Sequence, residues 1–308
     1  MAVFHHLNNL PAFRNPVVTI GSFDGVHHGH KVILSEVVKA AKEVDGESIL
    51  ITFEPHPRKI IHPEQPLGLL TSPEQKIALM EAEGIDHIVV APFTRDFSML
   101  SASEYVEDFL LKNFKPHTII IGYDHHFGHS REGDINLLRK LVPPAVTIRE
   151  ISAQLIEDAA VSSTKVRNAL LQGSVHEAAE MLERPYSFKA MVVHGDKIGR
   201  TIGYPTANLQ PTYADILMPG IGIYAVRVAW QDKLYQGMMS IGYRPTVTEE
   251  RKITCEVNIL DFSEDLYGQT LVVYFEQYIR GEEKFDSLDA LKAQIALDEA
   301  STRTILMN

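Results

Sequence analysis

The chain has 308 residues, a hydrophobic fraction of 45% and a net charge of −11 at pH 7. This length favours two domains, and the apolar content is sufficient for two cores. The negative charge argues against nucleic acid as a partner, and no apolar stretch approaches the ~18 residues that span a membrane. The single cysteine, Cys255, excludes an internal disulfide and, with an N-terminus unlike a signal peptide, indicates a reducing, cytoplasmic location.

The most informative stretch is residues 21–30, GSFDGVHHGH, which follows an apolar run at 17–20. The run predicts a buried strand, Asp24-Gly25 predicts a tight turn, and an amphipathic pattern after Gly29 predicts a helix. A glycine-rich turn between a strand and a helix directs backbone N–H groups and the positive end of the helix dipole at an anion, most often phosphate. His27 and His30 add donors suited to charge that develops on a phosphate during reaction.

Two other interpretations of this histidine motif stay open at this point. One is a solvated loop in a chain that has 14 histidines. The other is a metal site, since His5-His6, His27-His28 and His125-His126 can gather in the fold. Because the sequence has no HExxH motif and only one cysteine, metal ligation ranks below phosphate binding.

Strand-like and helix-like segments alternate over the first half of the chain. Helix starts are indicated at Ser72-Pro73-Glu74-Gln75 and at Ser101 with Glu104, and a short helix is expected near 134–141. This alternation predicts a parallel sheet with helices on both faces, an α/β fold. The predicted strands are 17–20, 48–53, 87–91, 118–121 and 145–151.

Three stretches should lie at one edge of that sheet. Ligands bind beyond the carboxyl ends of parallel strands, and residues 21–30, 54–57 and 122–128 each follow such an end. We therefore expect these stretches to form one cleft.

A second candidate phosphate-binding turn lies at 161–167, VSSTKVR. Three hydroxyl residues predict the start of a helix, and Gly173 predicts its end. The cations beside the hydroxyls could bind an anion such as phosphate. An ordinary capped helix with surface cations is the alternative for this stretch taken alone. The residues concerned are Ser162, Ser163, Thr164, Lys165 and Arg167.

After Pro185 the pattern changes to strands rich in Val, Ile and Tyr, separated by short polar turns. Their even spacing predicts a closed antiparallel barrel, an all-β fold, and Leu288, Leu291 and Ile295 predict the packed face of a final helix. The change in pattern places the domains at 1–183 and 184–308, without a flexible linker. The predicted strands are 186–194, 222–230, 234–241, 253–260 and 270–279.

The barrel half carries its own loop chemistry. Glycines and cations in one loop are typical of phosphate binding, although a β-turn loop with solvated polar groups remains the alternative. Thr206 and Asn208 are oxygen donors two residues apart, so on an extended segment they point the same way and suit Mg²⁺ completed by ATP oxygens. The loop residues are Gly195, Lys197, Gly199, Arg200 and Gly203.

The strand at 253–260, ITCEVNIL, contains a candidate general base. Alternation directs Cys255 to the core and Glu256 to the polar face. A lone strand glutamate is usually solvated, but one beside a metal–phosphate loop is suited to accept a proton. Cys255 is predicted to be a small buried hydrophobe and not a nucleophile.

These motifs resemble, over essentially the whole chain, the bacterial bifunctional riboflavin kinase/FMN adenylyltransferase (FAD synthetase) family. The PTAN set is specific to riboflavin kinases, so the combination is a strong resemblance. The first half matches in GSFDGVHHGH, TFEPHP (52–57), GYDHHFG (122–128) and VSSTKVR. The second half matches in GRTIGYPTANL (199–209), GIYAV (222–226), SIGYRPTV (240–247), DLYGQTL (265–271) and YIRGEEKFDSLDAL (278–291).

The resemblance implies a Rossmann-like HxGH nucleotidylyltransferase domain followed by a riboflavin-kinase β-barrel with a C-terminal helix. It implies that the barrel phosphorylates riboflavin to FMN with ATP, and that the first domain adenylylates FMN to FAD and releases pyrophosphate. Thr206 and Asn208 would bind Mg–ATP, Glu256 would activate the ribityl hydroxyl, and Arg280 would contact the flavin. In the adenylyltransferase, Asp124 and Phe127 are assigned to the flavin, with the nucleotide as the alternative neighbour of Asp124. Its ATP site would include Gly21, Ser22, Phe23, His27, His30, Ser162, Ser163, Thr164 and Arg167.

One position departs from the family pattern, because His125 stands where the family usually has an aromatic residue. If that ring stacks on flavin, binding in this site is altered. Three functions are therefore weighed: a bifunctional enzyme, an enzyme with a live kinase and a weakened adenylyltransferase, and a non-enzymatic flavin-binding protein. The last would predict loss of Glu256, Asn208 or the histidine pair, all of which are present.

Overall fold

The structure, a computed structural model, describes residues 1–152, 161–195, 199, 203–243 and 253–307. By its internal contacts the chain divides into two compact units, Met1–Ser163 and Thr164–Asn308, called the N-terminal and C-terminal units. Over the described ranges, no helix combines the length and the apolar content that crossing a membrane requires.

The N-terminal unit is built on a six-stranded sheet with the order β1-β4-β3-β2-β5-β6. All its neighbouring strands are parallel, as the alternating pattern predicts. The edge strand β1 was not predicted, because three residues are too few to show a periodicity and its identity comes from pairing with β4. The strands are β1 Ala2–Phe4, β2 Val17–Ile20, β3 Ser48–Glu54, β4 His87–Pro92, β5 Thr118–Gly122 and β6 Thr147–Ile151.

Helices cover both faces of this sheet. Ile49 and Ile51 belong to one apolar cluster and Leu50 to another, so successive residues of one strand face opposite layers. The helices are His28–Glu43, Pro57–Ile61, Pro73–Ala82, Arg95–Ser98, Ala102–Glu104, the π-helix Tyr105–Leu111, Lys112–Phe114, the 3₁₀ turn His129–Arg131 and Ile135–Leu141.

The predicted helix starts in this unit are correct. The Ser72 hydroxyl accepts a hydrogen bond from the Gln75 amide at 3.2 Å, and Ser101 with Glu104 forms a complete capping box. The π-helix that follows Ala102–Glu104 was not predicted.

The C-terminal unit is a closed antiparallel barrel with the strand order β10-β11-β8-β7-β12-β9. Strand β8 was not predicted, because its sequence ANLQP shows neither alternation nor an apolar run. The strands are β7 Tyr186–Val193, β8 Ala207–Pro211, β9 Gly222–Trp230, β10 Lys233–Tyr243, β11 Ile253–Ile259 and β12 Thr270–Arg280.

Three described helices accompany the barrel: Ser163–Leu171, of which all but the first residue belongs to this unit, Val175–Leu182 and Leu288–Leu306. The Gly220 amide donates to the Leu170 carbonyl at 2.9 Å, and Val175, Ala178 and Leu182 are fully buried. The contact division thus groups residues 164–182 with the barrel, whereas the boundary between 183 and 184 stays a prediction from sequence.

The predicted face of the final helix was wrong at Leu288, whose side chain is 54% exposed. Leu291 and Ile295 are half-buried, and the fully buried side chains are Asp298, Thr302 and Leu306. The face shifted because Asp298 on this helix pairs with Arg280 of the barrel, whose side chain is 16% exposed.

Candidate functional sites

The loop after β2 leaves the sheet in a strained backbone conformation. Phe23 and Val26 have left-handed φ angles of 48° and 41°, a region unfavourable for bulky residues and most of all for a β-branched one. The Gly21 amide donates to the Ile51 carbonyl at 3.0 Å, and the Phe23 ring lies directly over Gly21. The loop is therefore held by a contact with the middle of β3 and by its own aromatic ring.

Asp24 anchors this loop from within the protein, a role that its prediction as a turn residue missed. Its carboxylate is 3% exposed and accepts hydrogen bonds from the Leu70 amide at 2.9 Å and the Thr71 amide at 3.2 Å. The Ser163 hydroxyl donates to the Asp24 backbone carbonyl at 3.0 Å. This bond brings Ser163, one residue of the predicted phosphate-binding turn, to the GSFDG loop.

The structure brings the two motif histidines together at the start of the helix His28–Glu43. His27 is the N-cap residue and is 5% exposed, and the His30 amide donates to its carbonyl at 2.8 Å. The two imidazole rings stack with centroids 3.7 Å apart. The two imidazole side chains and the N-terminus of a helix thus share one place, an arrangement that can bind a phosphate chain.

The predicted flavin residues of the N-terminal unit occupy different environments. Asp124 is exposed, whereas Phe127 is 5% exposed, stacks on Tyr105 at 5.2 Å and leaves no room for a side chain at Gly133. Burial lowers the pKa of the His125 imidazole to about 4, against the opposing effect of Asp124. The flavin-binding roles of these residues stay predictions.

The remaining predicted ATP residues lie on or beside the helix Ser163–Leu171. Ser162 and Thr164 are exposed at its start, while Arg167 is only 9% exposed. Arg167 is therefore not the surface cation that the capped-helix alternative assumes, although Lys165 is exposed as that alternative expects.

In the C-terminal unit, Glu256 meets the PTAN segment across two paired strands. Glu256 on β11 is directly opposite Asn208 on β8, and its Oε2 accepts a hydrogen bond from the Thr206 hydroxyl at 2.9 Å. The Asn258 amide donates to the Pro205 carbonyl at 2.7 Å, which fixes the start of the segment. The predicted base and both predicted metal donors therefore form one cluster.

The glycines of the predicted phosphate loop have defined positions. A side chain at Gly195 would overlap the Asn208 amide, and one at Gly199 would overlap the Tyr204 carbonyl. Gly203 has a φ of +89°, which favours glycine. The predicted cations Lys197 and Arg200 lie outside the described residues.

Arg280 is occupied by protein partners. Its Nη2 and Nε donate to the Asp298 carboxylate at 2.7 and 3.0 Å, its Nη1 donates to the Gly281 carbonyl at 2.9 Å, and the pairing raises its pKa. Gln294 also donates to Asp298, at 2.9 Å. Arg280 thus joins the end of β12 to the final helix, and its predicted contact with flavin stays a prediction.

Two observations bear on metal and thiol chemistry. Among the residues whose placement is described, no three His, Cys, Asp or Glu side chains are grouped to hold a metal ion. The hydroxyl of Thr206 and the oxygens of Asn208 and Glu256 have the hard-donor chemistry that Mg²⁺ prefers.

Cys255 is buried, and burial raises its pKa to about 12, so it is not poised as a nucleophile.

Known families and proteins match both units of this chain, in the same order along the sequence. Residues 10–165 match a family model described as FAD synthetase, and residues 182–306 match one described as riboflavin kinase. A bifunctional riboflavin kinase/FMN adenylyltransferase of Pseudomonas fluorescens is 37% identical, over 99% of this chain and 98% of the relative. One of Escherichia coli K12 is 36% identical, over 97% and 95%.

A solved structure has the same fold over nearly all of its length. This Streptococcus pneumoniae protein, described as a macrolide-efflux protein, is 33% identical and covers 98% of both chains with a TM-score of 0.88. The arrangement of a parallel-sheet unit followed by a barrel therefore also occurs in a solved structure.

Proposed function

Since this chain belongs to the family of bifunctional riboflavin kinases/FMN adenylyltransferases, and so makes FMN from riboflavin and FAD from FMN, we propose which residues perform each reaction. The order of the family matches supports adenylyl transfer in the N-terminal unit and phosphorylation in the C-terminal unit. The hydrogen bond from Thr206 to Glu256, in the strand pair that also aligns Asn208, is the observation that carries the kinase assignment.

In the kinase reaction, Glu256 acts as the general base. A ribityl hydroxyl is a weak nucleophile, so its proton must leave as the oxygen attacks the γ-phosphorus of ATP and ADP departs. Glu256 accepts that proton, and the Thr206 hydroxyl orients the carboxylate from 2.9 Å. Gly195 and Gly199 have no room for a side chain, and Gly203 has a left-handed φ, so glycine is suited to all three positions of a loop proposed to bind the phosphates of ATP.

Thr206 and Asn208 would hold Mg²⁺ together with ATP oxygens. Their donor chemistry fits this ion, and the side chain of Asn208 is confined against Gly195, where only a glycine leaves it room. When bound, the ion neutralises charge on the phosphates that react.

In the adenylyltransferase reaction, the protein positions two anions and needs no base. The FMN phosphate is already ionised at neutral pH and attacks the α-phosphorus of ATP, the α–β bridging bond breaks, and pyrophosphate leaves. His27 and His30 donate to the charge that develops on the phosphoryl group, and the start of the helix His28–Glu43 binds the phosphates. Ser163, bonded to the Asp24 carbonyl, would also contact ATP, and the role of Arg167 in ATP binding is proposed on the resemblance alone.

The flavin contacts are proposed on the resemblance alone. Asp124 and Phe127 would border the flavin of the adenylyltransferase, and Arg280 that of the kinase. Phe127 stacks on Tyr105, and Arg280 pairs with Asp298. Substitution of either residue would therefore change flavin binding partly by disturbing the neighbouring protein structure.

A single assay tests this assignment. Purified protein with riboflavin, ATP and Mg²⁺ should yield FMN and then FAD, resolved by chromatography. FMN without FAD would favour an enzyme whose adenylyltransferase is weakened, as His125 suggests, and neither product would overturn both assignments. FMN supplied directly, with ATP, separates failure of the second step from lack of its substrate.

We also propose a cytoplasmic location. A buried thiol and the absence of a second cysteine suit a reducing compartment, where ATP is abundant. Fractionation of cells that express the protein, with an antibody against its C-terminus, would test the location directly.

A further inference from the structure

Lys76 is a buried cation on the helix Pro73–Ala82, and its side chain lies beneath the loop after β2. The residue is 7% exposed. Its ammonium donates to the Thr52 hydroxyl at 3.1 Å, to the Phe53 carbonyl at 3.3 Å and to the Ser22 carbonyl at 3.4 Å. An ammonium has three N–H donors, so these three oxygens match its full donor set.

The three acceptors join two neighbouring strands at their carboxyl ends. Ser22 belongs to the loop that follows β2, and Thr52 and Phe53 lie at the end of β3. The Thr52 hydroxyl also donates to the Ser22 carbonyl, at 3.1 Å. Lys76 is therefore the centre of a polar cluster that fixes the direction of the chain where it enters GSFDGVHHGH.

Packing alone does not account for a lysine here. Moving an ammonium out of water is costly, and an apolar side chain such as methionine would fill the space without that cost. Burial lowers the pKa of Lys76, while the carboxylates of Glu54 and Asp24 act in the opposite direction. The three oxygen acceptors suit the charged ammonium, which places a positive charge in the protein interior close to where an anionic substrate would bind.

The loop also needs support from the surrounding protein. A left-handed conformation at Phe23 and Val26 persists only where the surroundings enforce it. Asp24 holds the loop at its own position through the amides of Leu70 and Thr71. Lys76 holds it two residues earlier, through the carbonyl of Ser22.

We propose that Lys76 is a positioning residue of the adenylyltransferase site, which holds the Ser22 carbonyl and adds positive potential beneath the loop that receives the phosphates of ATP. This inference rests on the proposed role of the loop. Because the charge lies under the loop in every state of the reaction, it should favour bound ATP and its transition state about equally. Its loss should then raise KM and leave kcat nearly unchanged.

The experiment compares Lys76→Met with Lys76→Arg in the full-length protein. In FAD formation from FMN, K76M should raise the KM for ATP and the inhibition constant of pyrophosphate by about tenfold, a change worth ~1.4 kcal/mol. K76R retains the charge and should recover much of that loss. Lys39→Met, at a lysine whose side chain is 65% exposed on the helix His28–Glu43, is the matched control and should leave both constants unchanged.

Kinase activity of the same chains and their melting temperatures report folding. A K76M protein with wild-type constants for ATP and pyrophosphate, even if less stable, would overturn the proposal and make Lys76 a structural residue only. If K76M does not fold, Lys76→Gln, which keeps a hydrogen-bond donor without the charge, is judged by the same two constants. Wild-type protein that forms no FAD would instead refute the function assigned to the site.

Discussion

At the scale of single residues, the two sites differ because their nucleophiles differ. A ribityl hydroxyl must lose a proton, so the kinase site needs a base, and Glu256 is the carboxylate beside Thr206 and Asn208. An FMN phosphate is already an anionic nucleophile at neutral pH, so the adenylyltransferase site needs donors and no base, and we propose the stacked His27 and His30 as those donors. Substitutions at these positions should therefore affect one reaction each.

Replacing Glu256 by glutamine keeps the shape of the side chain and removes the base. We expect riboflavin phosphorylation to fall by about 10²–10⁴-fold, the usual contribution of a general base, with FMN adenylylation unchanged. Both rates are measured on one preparation by chromatography of FMN and FAD. Glu264→Gln, at an exposed glutamate of the same unit, is the control, and an equal loss of both activities in E256Q would contradict the separation of the sites.

Replacing His30 by alanine removes one donor to the developing charge. Losing a preorganised donor typically costs about 10²–10³-fold in rate, so kcat for FAD formation should fall by that order with a smaller change in the KM for ATP. Kinase activity should stay normal, as should both activities of His62→Ala, at an exposed histidine. A near-normal kcat with a steep rise in KM would mean that His30 binds only ground-state ATP.

At the scale of elements, the final helix is attached to the barrel by polar contacts as well as apolar ones. The Arg280–Asp298 pair holds the helix near its middle, and Arg227 and Gln236 both donate to the Leu306 carbonyl at its end. These contacts satisfy one of the carbonyls that a helix C-terminus leaves unpaired.

Asp298→Ala should destabilise the C-terminal unit by about 3–5 kcal/mol, because it leaves the guanidinium of Arg280 without its partner in a largely buried position. Denaturant unfolding followed by circular dichroism measures this loss. Asp289→Ala, in the exposed first turn of the same helix, should have little effect. A stability of D298A equal to that of the control would show that the pair does not hold the helix.

Elements whose secondary structure is set by their own sequence pattern could be predicted, whereas elements set by contacts with distant residues could not. The run Ile119-Ile120-Ile121 predicts a strand buried on both faces, and it is one. Strand β1 and strand β8 owe their existence to a neighbouring strand, so local periodicity could not reveal them. Leu288 was predicted to face the barrel but is exposed, because the final helix is oriented with Asp298 facing Arg280 on β12.

The functional sites divide in the same way. His27, His30 and Glu256 stand in local patterns, so the sequence alone indicated them. The roles of Asp24 and Lys76 arise from contacts with residues at least 46 and at least 23 positions away, respectively, which no local pattern encodes. A buried lysine in a helix of weak amphipathicity gave no signal that separates it from a surface cation.

At the scale of the whole molecule, the open point is the residue at which a barrel fragment that folds on its own begins. The sequence predicts a boundary near residue 184, and the contact division adds the helices of residues 164–182 to the barrel. We expect a fragment of residues 184–308 still to make FMN, because the all-strand pattern there marks a separate core.

A fragment of residues 164–308 should melt at a higher temperature than the shorter one, since it keeps the buried residues Val175, Ala178 and Leu182 in place. Melting curves and riboflavin phosphorylation of the two fragments, beside the full chain, test both expectations. A shorter fragment that is folded but inactive would show that the kinase site takes residues from the part removed.

The single cysteine of this chain is a buried thiol, so its rate of chemical labelling can report how often the barrel opens. Cys255 is the neighbour of Glu256 on β11 but faces the barrel interior, and its raised pKa keeps it protonated. A thiol-specific dye can therefore react only when the barrel opens, so the rate of labelling counts openings of that strand. Riboflavin and ATP, if they bind across the same strand, should slow the labelling, and the amount of slowing would report their occupancy without any turnover.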